Sequence, residues 1–175
     1  MAERIVDLLR SNYDEKHGVV NVRPVVDQLL RTSSAPFAEV SASFETAESR
    51  WRLPILEAMR VLAASGHCTE NDVQGVLRAT ESVAAESGAD EYFKSVNALV
   101  ASPKTAGALT GFVSRLLDNP RRDFERRLAF YTIGMLLEHR TAKLPDGLRG
   151  ALRTAADAEG SDQLRRQFVE LLGRL

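Results

Sequence analysis

"RRQFVELLGRL", residues 165–175, repeats the pattern of "RRLAFYTIGML", residues 126–136. A shift of 39 residues aligns 109–136 with 148–175 without a gap. Each copy reads as a helix, an acidic turn and a second helix, with apolar residues at helical spacing. Repetition of helix pairs predicts a repeat architecture for the second half of the chain. The identical positions are Leu109/Leu148, Gly111/Gly150, Asp118/Asp157, Arg126/Arg165, Arg127/Arg166, Gly134/Gly173 and Leu136/Leu175.

Helical rather than alternating periodicity extends over almost every other segment, which predicts an all-α fold. The segment 33–46 is low in charge and rich in small residues, so we expect a long loop or an irregular helix there. "VVNV" (19–22) is flanked by Gly18 and Pro24, so we expect an extended linker rather than a strand. The predicted helices are 2–12, 23–32, 47–65, 70–87, 90–101, 104–117, 120–139, 145–158 and 161–174.

The segment "SDQLRRQFVELLGRL" (161–175) resembles the second helix of a HEAT-like repeat, with Arg after the turn and an ending of the form Leu-Gly-x-Leu. The resemblance is clearest over 104–175, although Glu125 stands where an apolar residue is expected. It implies an α-solenoid, a right-handed superhelix of antiparallel helix pairs with about 8–9 helices. The chain would be one all-α domain, 1–175. Its parts would be divergent N-terminal helices with a loop (1–46), degenerate repeats (47–103) and HEAT-like repeats (104–140 and 145–175).

The resemblance also implies two structural ion pairs, because a HEAT-like unit pairs an acid of the turn with the first Arg of the second helix. The matching positions are Asp118 with Arg126, and Asp157 with Arg165. A helical wheel separately places Arg126 in line with apolar residues of its helix. Arginines in such rows keep their stems half-buried and pair with a carboxylate. We therefore interpret Arg126 and Arg165 as structural.

The remaining arginines near residue 120 have two interpretations. Arg121, Arg122 and Arg127 lie at a predicted helix N-terminus, where free backbone N–H groups and guanidinium groups together can hold a phosphate or a carboxylate-rich peptide. Alternatively they are exposed charge with local acid partners, such as Asp123 with Arg127 at i,i+4. With Arg149, Arg153 and Arg166 they would form a basic surface along the C-terminal units.

Composition limits the classes of protein that the chain can belong to. It has 175 residues, 44% hydrophobic and 27% charged, and no apolar run near the roughly 20 residues needed to span a bilayer. The N-terminus lacks the features of a signal peptide, and the single cysteine, Cys68, indicates a reducing compartment. We therefore expect a cytoplasmic protein without a membrane partner.

Charge is unevenly distributed along the chain. Residues 1–102 hold 10 Lys+Arg and 15 Asp+Glu (10 − 15 = −5), whereas 103–175 hold 13 and 9 (13 − 9 = +4). A dipolar molecule of this kind can self-associate or bind an acidic partner with its basic end. The alternative is that both regions are simply solvated.

Motifs that carry chemistry are missing from the sequence. It has no phosphate-binding glycine loop, no nucleophile elbow and no HExxH, and the adjacent His67 and Cys68 lack further ligands that would complete a metal site. We therefore predict no catalytic, cofactor-binding or metal-binding residues. Trp51, between Arg50 and Arg52, is interpreted as a helix-packing residue or, if exposed, as the best anchor for a partner.

These features predict a non-catalytic helical-repeat module, an adaptor or regulator that binds a partner protein through its solenoid surface. The alternative is a nucleic-acid-binding protein that uses the C-terminal arginines, against which stand the acidic N-terminal half and the sequence pI of about 6.3. The apolar final helix also allows a homo-oligomer. The predicted partner-binding residues are Arg121, Arg122, Arg127, Arg149, Arg153, Arg166 and Trp51.

Overall fold

Ten α-helices account for most of the chain in the computed structural model, which describes residues 2–118, 123–139 and 147–175 and the side chains of 4–117, 124–139 and 147–175. The prediction of an all-α fold is confirmed. In these ranges no helix combines the length and apolarity that crossing a membrane requires. The elements are α1 (Ala2–Ser11), β1 (Tyr13–Asp14), β2 (Val19–Val20), α2 (Val22–Thr32), α3 (Pro36–Thr46), α4 (Ser49–Ala64), α5 (Val73–Ser87), α6 (Asp90–Val100), α7 (Pro103–Asp118), α8 (Asp123–His139), α9 (Leu148–Ala158) and α10 (Asp162–Arg174).

The segment 33–46 contains a regular helix, α3, for which the sequence analysis allowed only a loop or an irregular helix. Pro36 lies at the first helical position, where its missing N–H removes no hydrogen bond. Phe37, Val40 and Phe44 are buried and follow one face of the helix. The helix is thus stabilised by packing against α1 and α4.

A short hairpin replaces the linker expected around residues 19–22, so that prediction was wrong. Tyr13 pairs with Val20, and Asp14 pairs with Val19, in antiparallel register. The turn depends on Gly18, which adopts a positive φ of 67° and donates its N–H to Asp14 O. Tyr13 and Val19 are among the few large hydrophobic side chains that the described structure leaves exposed.

Packing joins each helix to neighbours in sequence, around two clusters of buried apolar residues. The larger cluster extends from Ile5 to Leu136 and involves α1 to α8. The smaller cluster extends from Val113 to Leu171 and involves α7 to α10. α7 packs on α8 and α9 on α10, while α9 also contacts α7 and α10 contacts α8. The two C-terminal helix pairs therefore lie side by side.

A buried polar network centred on Arg60 connects α4, α5 and α6. The Arg60 side chain is 4% exposed, and its Nη1 lies 2.8 Å from Glu91 Oε2. Nε donates to Ser95 Oγ at 2.9 Å, and Nη2 donates to Glu91 O at 2.7 Å. Ser95 in turn shares a 2.6 Å hydrogen bond with the buried hydroxyl of Thr80 on α5. These contacts fix the three helices in one arrangement.

Glu91 is ionised in this network. Burial by itself raises the pKa of its carboxyl group, but hydrogen bonds from Lys94 and Arg60 outweigh that effect and hold the pKa below its ordinary value. Removing the carboxylate would take away the buried counter-charge of Arg60 and leave the guanidinium with Glu57, whose side chain is 39% exposed. Such a loss is costly even where the intact pair contributes little net stability.

Glu91→Ala is expected to lower the free energy of unfolding by about 3 kcal/mol, because Arg60 stays buried without a carboxylate from α6. Urea denaturation at pH 7 measures the effect. Glu45→Ala, an exposed position on α3, is the control and should stay within about 0.5 kcal/mol of the wild type. Equal effects of the two substitutions would contradict the structural role of the network.

Candidate binding surfaces

Exposed arginines without carboxylate partners occupy the C-terminal helices. Arg127 on α8, Arg149 and Arg153 on α9 and Arg166 on α10 are all exposed. None of the four forms an ion pair with a carboxylate in the part of the chain that the structure describes. The predicted binding residues Arg121 and Arg122 lie outside the described residues. The four arginines therefore carry charge that no carboxylate among the described side chains neutralises, and the side chain of Asp123, the predicted partner of Arg127, lies outside them.

The beginnings of α8 and α10 lie together, because Arg126 near the start of α8 bonds to Glu159, just before α10. Arg127 and Arg166 follow Arg126 and Arg165, and each is the fifth residue of its helix. Both charges thus lie at the same end of the two helix pairs.

Arg149 lies nearer the other end of α10, since its Nη2 donates to Leu172 O at 3.5 Å. Leu172 is six residues beyond Arg166, which corresponds to about 9 Å along the helix axis. Arg153 follows Arg149 by four residues on α9, about one turn of the helix. The basic residues are therefore spread along α9 and α10 rather than gathered at one point.

Glu159 organises the junction behind this surface, although the sequence analysis did not single it out. Its side chain is 2% exposed, and Oε2 accepts a hydrogen bond from Arg126 Nε at 2.7 Å. Oε1 accepts from Ser161 N at 2.9 Å, and Ser161 Oγ caps α10 by accepting from Leu164 N. One buried carboxylate therefore joins α8 to the turn that starts α10.

Arg165 has different partners from the one predicted. The expected carboxylate, Asp157, is exposed near the end of α9, and Arg165 Nη1 lies instead 3.7 Å from Asp162. Arg165 Nη2 also donates to Glu159 O. The reason is the extended backbone at Glu159, where α9 ends, which turns this residue and not Asp157 toward the arginines. The other predicted pair involves Asp118, whose side chain lies outside the described residues.

The two structural arginines differ in burial. The Arg126 side chain is 14% exposed and that of Arg165 is 48% exposed. Burial by itself raises the pKa of Glu159, but the N–H of Ser161 and the guanidinium of Arg126 lower it below its ordinary value. Glu159 is therefore an ionised partner for Arg126 at neutral pH.

Trp51 is buried, with 8% of its surface exposed, so it does not offer the exposed anchor considered as one interpretation. It packs within the larger core cluster. The guanidinium groups of Arg10 and Arg50 lie 5.7 and 5.5 Å from its ring centroid. Arg52 turns away, toward Ala47 O and Ser82 Oγ. The side chain nevertheless lines a cavity between the hairpin and α4.

The apolar stripe of the last helix is covered within the chain. Leu164, Phe168 and Leu171 are buried, and the last two join the smaller cluster with α8 and α9. Phe168 meets Phe130 edge to face, with ring centroids 5.6 Å apart. Val169 is the large hydrophobic side chain that α10 leaves exposed, at 57%. Self-association through this helix would therefore have to use a small apolar contact.

The described side chains contain no group of three or more His, Cys, Asp or Glu that could hold a metal ion. Cys68 is 1% exposed, and burial raises the pKa of its thiol, with the negative charge of Asp72 adding to the effect. A thiol in this environment stays protonated and is a poor nucleophile.

Glu159→Gln is expected to lower the free energy of unfolding by about 2 kcal/mol at pH 7, because Arg126 loses its buried counter-charge. Asp157→Asn, two residues earlier and exposed, is the matched control and should change it by less than about 0.5 kcal/mol. Chemical denaturation distinguishes the two. A larger loss of unfolding free energy in Asp157→Asn than in Glu159→Gln would instead favour the ion pair between Asp157 and Arg165 that the repeat predicts.

The wild type and the Glu159→Gln variant also give a test that depends on pH. The folded state holds the pKa of Glu159 below its ordinary value of 4.5, so the ionised carboxylate contributes stability above that pH. The contribution is lost as the pH falls through the folded-state pKa. The difference in stability between wild type and Glu159→Gln should therefore narrow in acid, and a constant difference would contradict the assignment.

Cys68 is expected to react with dithionitrobenzoate about a hundredfold more slowly in the folded protein than in urea, because the thiol is buried and protonated. Absorbance of the released thiolate measures both rates at pH 8. The unfolded chain serves as its own control, since it contains the same single cysteine. Comparable rates would show that the thiol is accessible in the native state.

The sequence and the fold were compared with known proteins. No family model, no curated protein and no solved structure matched the chain. The arginines of the C-terminal helices and the cavity beside Trp51 are therefore the features of this chain that indicate binding.

Proposed function

We propose that this chain is a non-catalytic protein-interaction module of the helical-repeat type, an adaptor or regulator. In this proposal it binds an extended acidic segment of a partner protein along α8, α9 and α10. Support for the repeat comes from the side-by-side packing of the pairs α7–α8 and α9–α10. Equivalent positions on successive pairs then form one elongated surface, which is how helical repeats bind extended partners.

The observation that carries the proposal is that, in the same helices, some arginines have a carboxylate partner and others have none among the described residues. Arg126 and Arg165 use their guanidinium groups on Glu159 and Asp162. Arg127, Arg149, Arg153 and Arg166 are exposed and have no carboxylate in the described residues. The guanidinium group matches a carboxylate in bidentate geometry, so acidic side chains are the complementary ligand.

Exposed arginines of the N-terminal half are more often paired with an acid, although Arg31 and Arg78 have no carboxylate partner among the described residues. Several exposed arginines of the N-terminal half have local partners, among them Arg10 with Asp7 at 3.0 Å and Arg23 with Asp27 at 3.4 Å. The net charge of −5 over residues 1–102 would repel a polyanion that extended beyond the C-terminal helices. A short acidic peptide fits this distribution better than a long nucleic acid does.

The test uses a fluorescein-labelled decaglutamate peptide and a 20-base-pair DNA duplex, titrated with the protein in 50 mM salt and followed by fluorescence anisotropy. We expect the peptide to bind, and Arg127→Glu/Arg166→Glu to weaken binding by about tenfold, through loss of two charge-assisted contacts and added repulsion. Arg23→Glu/Arg31→Glu is the matched control, because it makes the same change in net charge on exposed residues of α2. This control should change the affinity less than about twofold.

Three results would overturn the proposal. The first is the absence of peptide binding at 50 mM salt. The second is an equal loss of affinity in the two double variants, which would indicate only general electrostatic attraction. The third is tighter binding of the duplex that depends on Arg127 and Arg166 and falls steeply with salt. That result would favour the nucleic-acid-binding alternative.

A further inference from the structure

A second potential site lies at the opposite end of the chain, between the hairpin and the beginning of α4. A cavity of about 690 Å³ opens there beside Trp51. This volume is within the range typical of pockets for small organic ligands, roughly 300–1,000 Å³. Its lining is mainly apolar and comes from both strands of the hairpin region and from α4. The lining residues include Tyr13, Val19, Val20, Trp51, Leu53 and Pro54.

Trp51 lines this cavity and carries an unsatisfied hydrogen-bond donor, although the N–H itself has almost no accessible surface. The residue is 92% buried (100 − 8), and its Nε1 is buried and has no acceptor among the described residues. A buried donor without a partner costs about 1–3 kcal/mol, so native proteins rarely keep one without a function. A ligand oxygen would provide the missing acceptor.

The charged groups of the lining favour an anion. Arg10 and Arg50 line the cavity, and their guanidinium groups lie within 6 Å of the Trp51 ring centroid. Each has a local acid, Asp7 or Glu48, but these pairs are exposed and contribute little, so a ligand can compete for the arginines. The one acid in the lining, Glu57, is already paired with Arg60 at 2.8 Å.

We propose that this cavity binds a small organic carboxylate with an apolar body. The carboxylate contacts the guanidinium groups of Arg10 and Arg50, and the indole of Trp51 shifts so that one carboxylate oxygen accepts its N–H. The apolar body lies between the hairpin and α4, where Tyr13 and Val19 are 46% and 56% exposed and would lose contact with water. This site shares no residue with the arginines of the C-terminal helices, so it is independent of the function proposed above.

Both parts of the ligand are needed for this fit. An anion without an apolar body would use only two exposed guanidinium groups, which water and salt screen. An apolar cation of the same size would meet Arg10 and Arg50 as like charges. Probes that differ in one of these properties therefore test the assignment directly.

The experiment uses the full chain and three probes: octanoate, octylamine and acetate. Octylamine has the same apolar body with the opposite charge, and acetate has the same charge without the body. Trp51 is the single tryptophan, so tryptophan fluorescence, excited at a wavelength that tyrosine does not absorb, reports on this cavity. We expect octanoate to give a saturable change in fluorescence. Octylamine and acetate should bind at least about tenfold more weakly, because the loss of one good contact has an effect of this size.

Substitutions in the lining test which side chains contact octanoate. Arg10→Gln/Arg50→Gln is expected to weaken octanoate binding about tenfold, and Val19→Glu should weaken it as well by placing a negative charge at an exposed position of the lining. Arg23→Gln is the matched control, since Arg23 is an exposed arginine with a local acid, as Arg50 is, but it does not line the cavity. Circular dichroism confirms that each variant is folded.

A nuclear magnetic resonance spectrum of ¹⁵N-labelled protein shows one indole N–H signal, from Trp51, which should move downfield when octanoate binds. The proposal is overturned if octanoate gives no saturable fluorescence change, if octylamine or acetate binds equally well, or if the arginine variant behaves like Arg23→Gln. An indole signal that stays in place while octanoate binds would also overturn it, because the donor would not be used.

Discussion

The ion pair between Arg126 and Glu159 holds the last helix pair in register with the pair before it. Apolar contacts across α7 to α10 bring these helices together, but such contacts tolerate sliding because they are not directional. The 2.7 Å bond from Arg126 Nε to Glu159 Oε2 has a defined geometry and comes from a carboxylate that is 2% exposed. We infer that its contribution is mainly to the specificity of the arrangement, since a buried pair adds little net stability but is costly to break.

The Arg60–Glu91 pair does the same between α4 and α6. In both places a buried glutamate uses its carboxylate for an arginine of an earlier helix, 31 residues before Glu91 and 33 before Glu159. In both places the backbone oxygen of the glutamate also accepts from an arginine, Arg60 in one case and Arg165 in the other. The glutamates lie at helix ends, so each fixes the direction in which the chain enters the next element.

Periodicity was sufficient to predict most helices, because most of them bury one regular face. It could not predict which residues at the helix ends form contacts with other helices. The repeat predicts Asp157 as the partner of Arg165 because Asp157 matches Asp118, whereas Glu159 has no acidic counterpart at the position 39 residues earlier. The turn geometry that directs Glu159 inward depends on three-dimensional packing. For α3 the decisive contacts are likewise long-range, since its own composition is only weakly helical. The hairpin depends on the single left-handed Gly18.

Bonding partners separate the arginines of α8 and α10 into two groups that sequence alone does not distinguish. Arg126 and Arg127 are neighbours, and so are Arg165 and Arg166, but adjacent residues on a helix point about 100° apart. In each pair one member bonds to Glu159 and the other faces solvent without a carboxylate in the described structure. We expect a substitution that neutralises the first member to act on the fold, and one that neutralises the second to change mainly the surface charge. The same reasoning applies to Trp51, which is buried in the core cluster yet lines a cavity with two arginines and has an unsatisfied N–H. The residues that we propose for binding are therefore those whose partners are missing from the described structure, and their position in the repeat does not identify them.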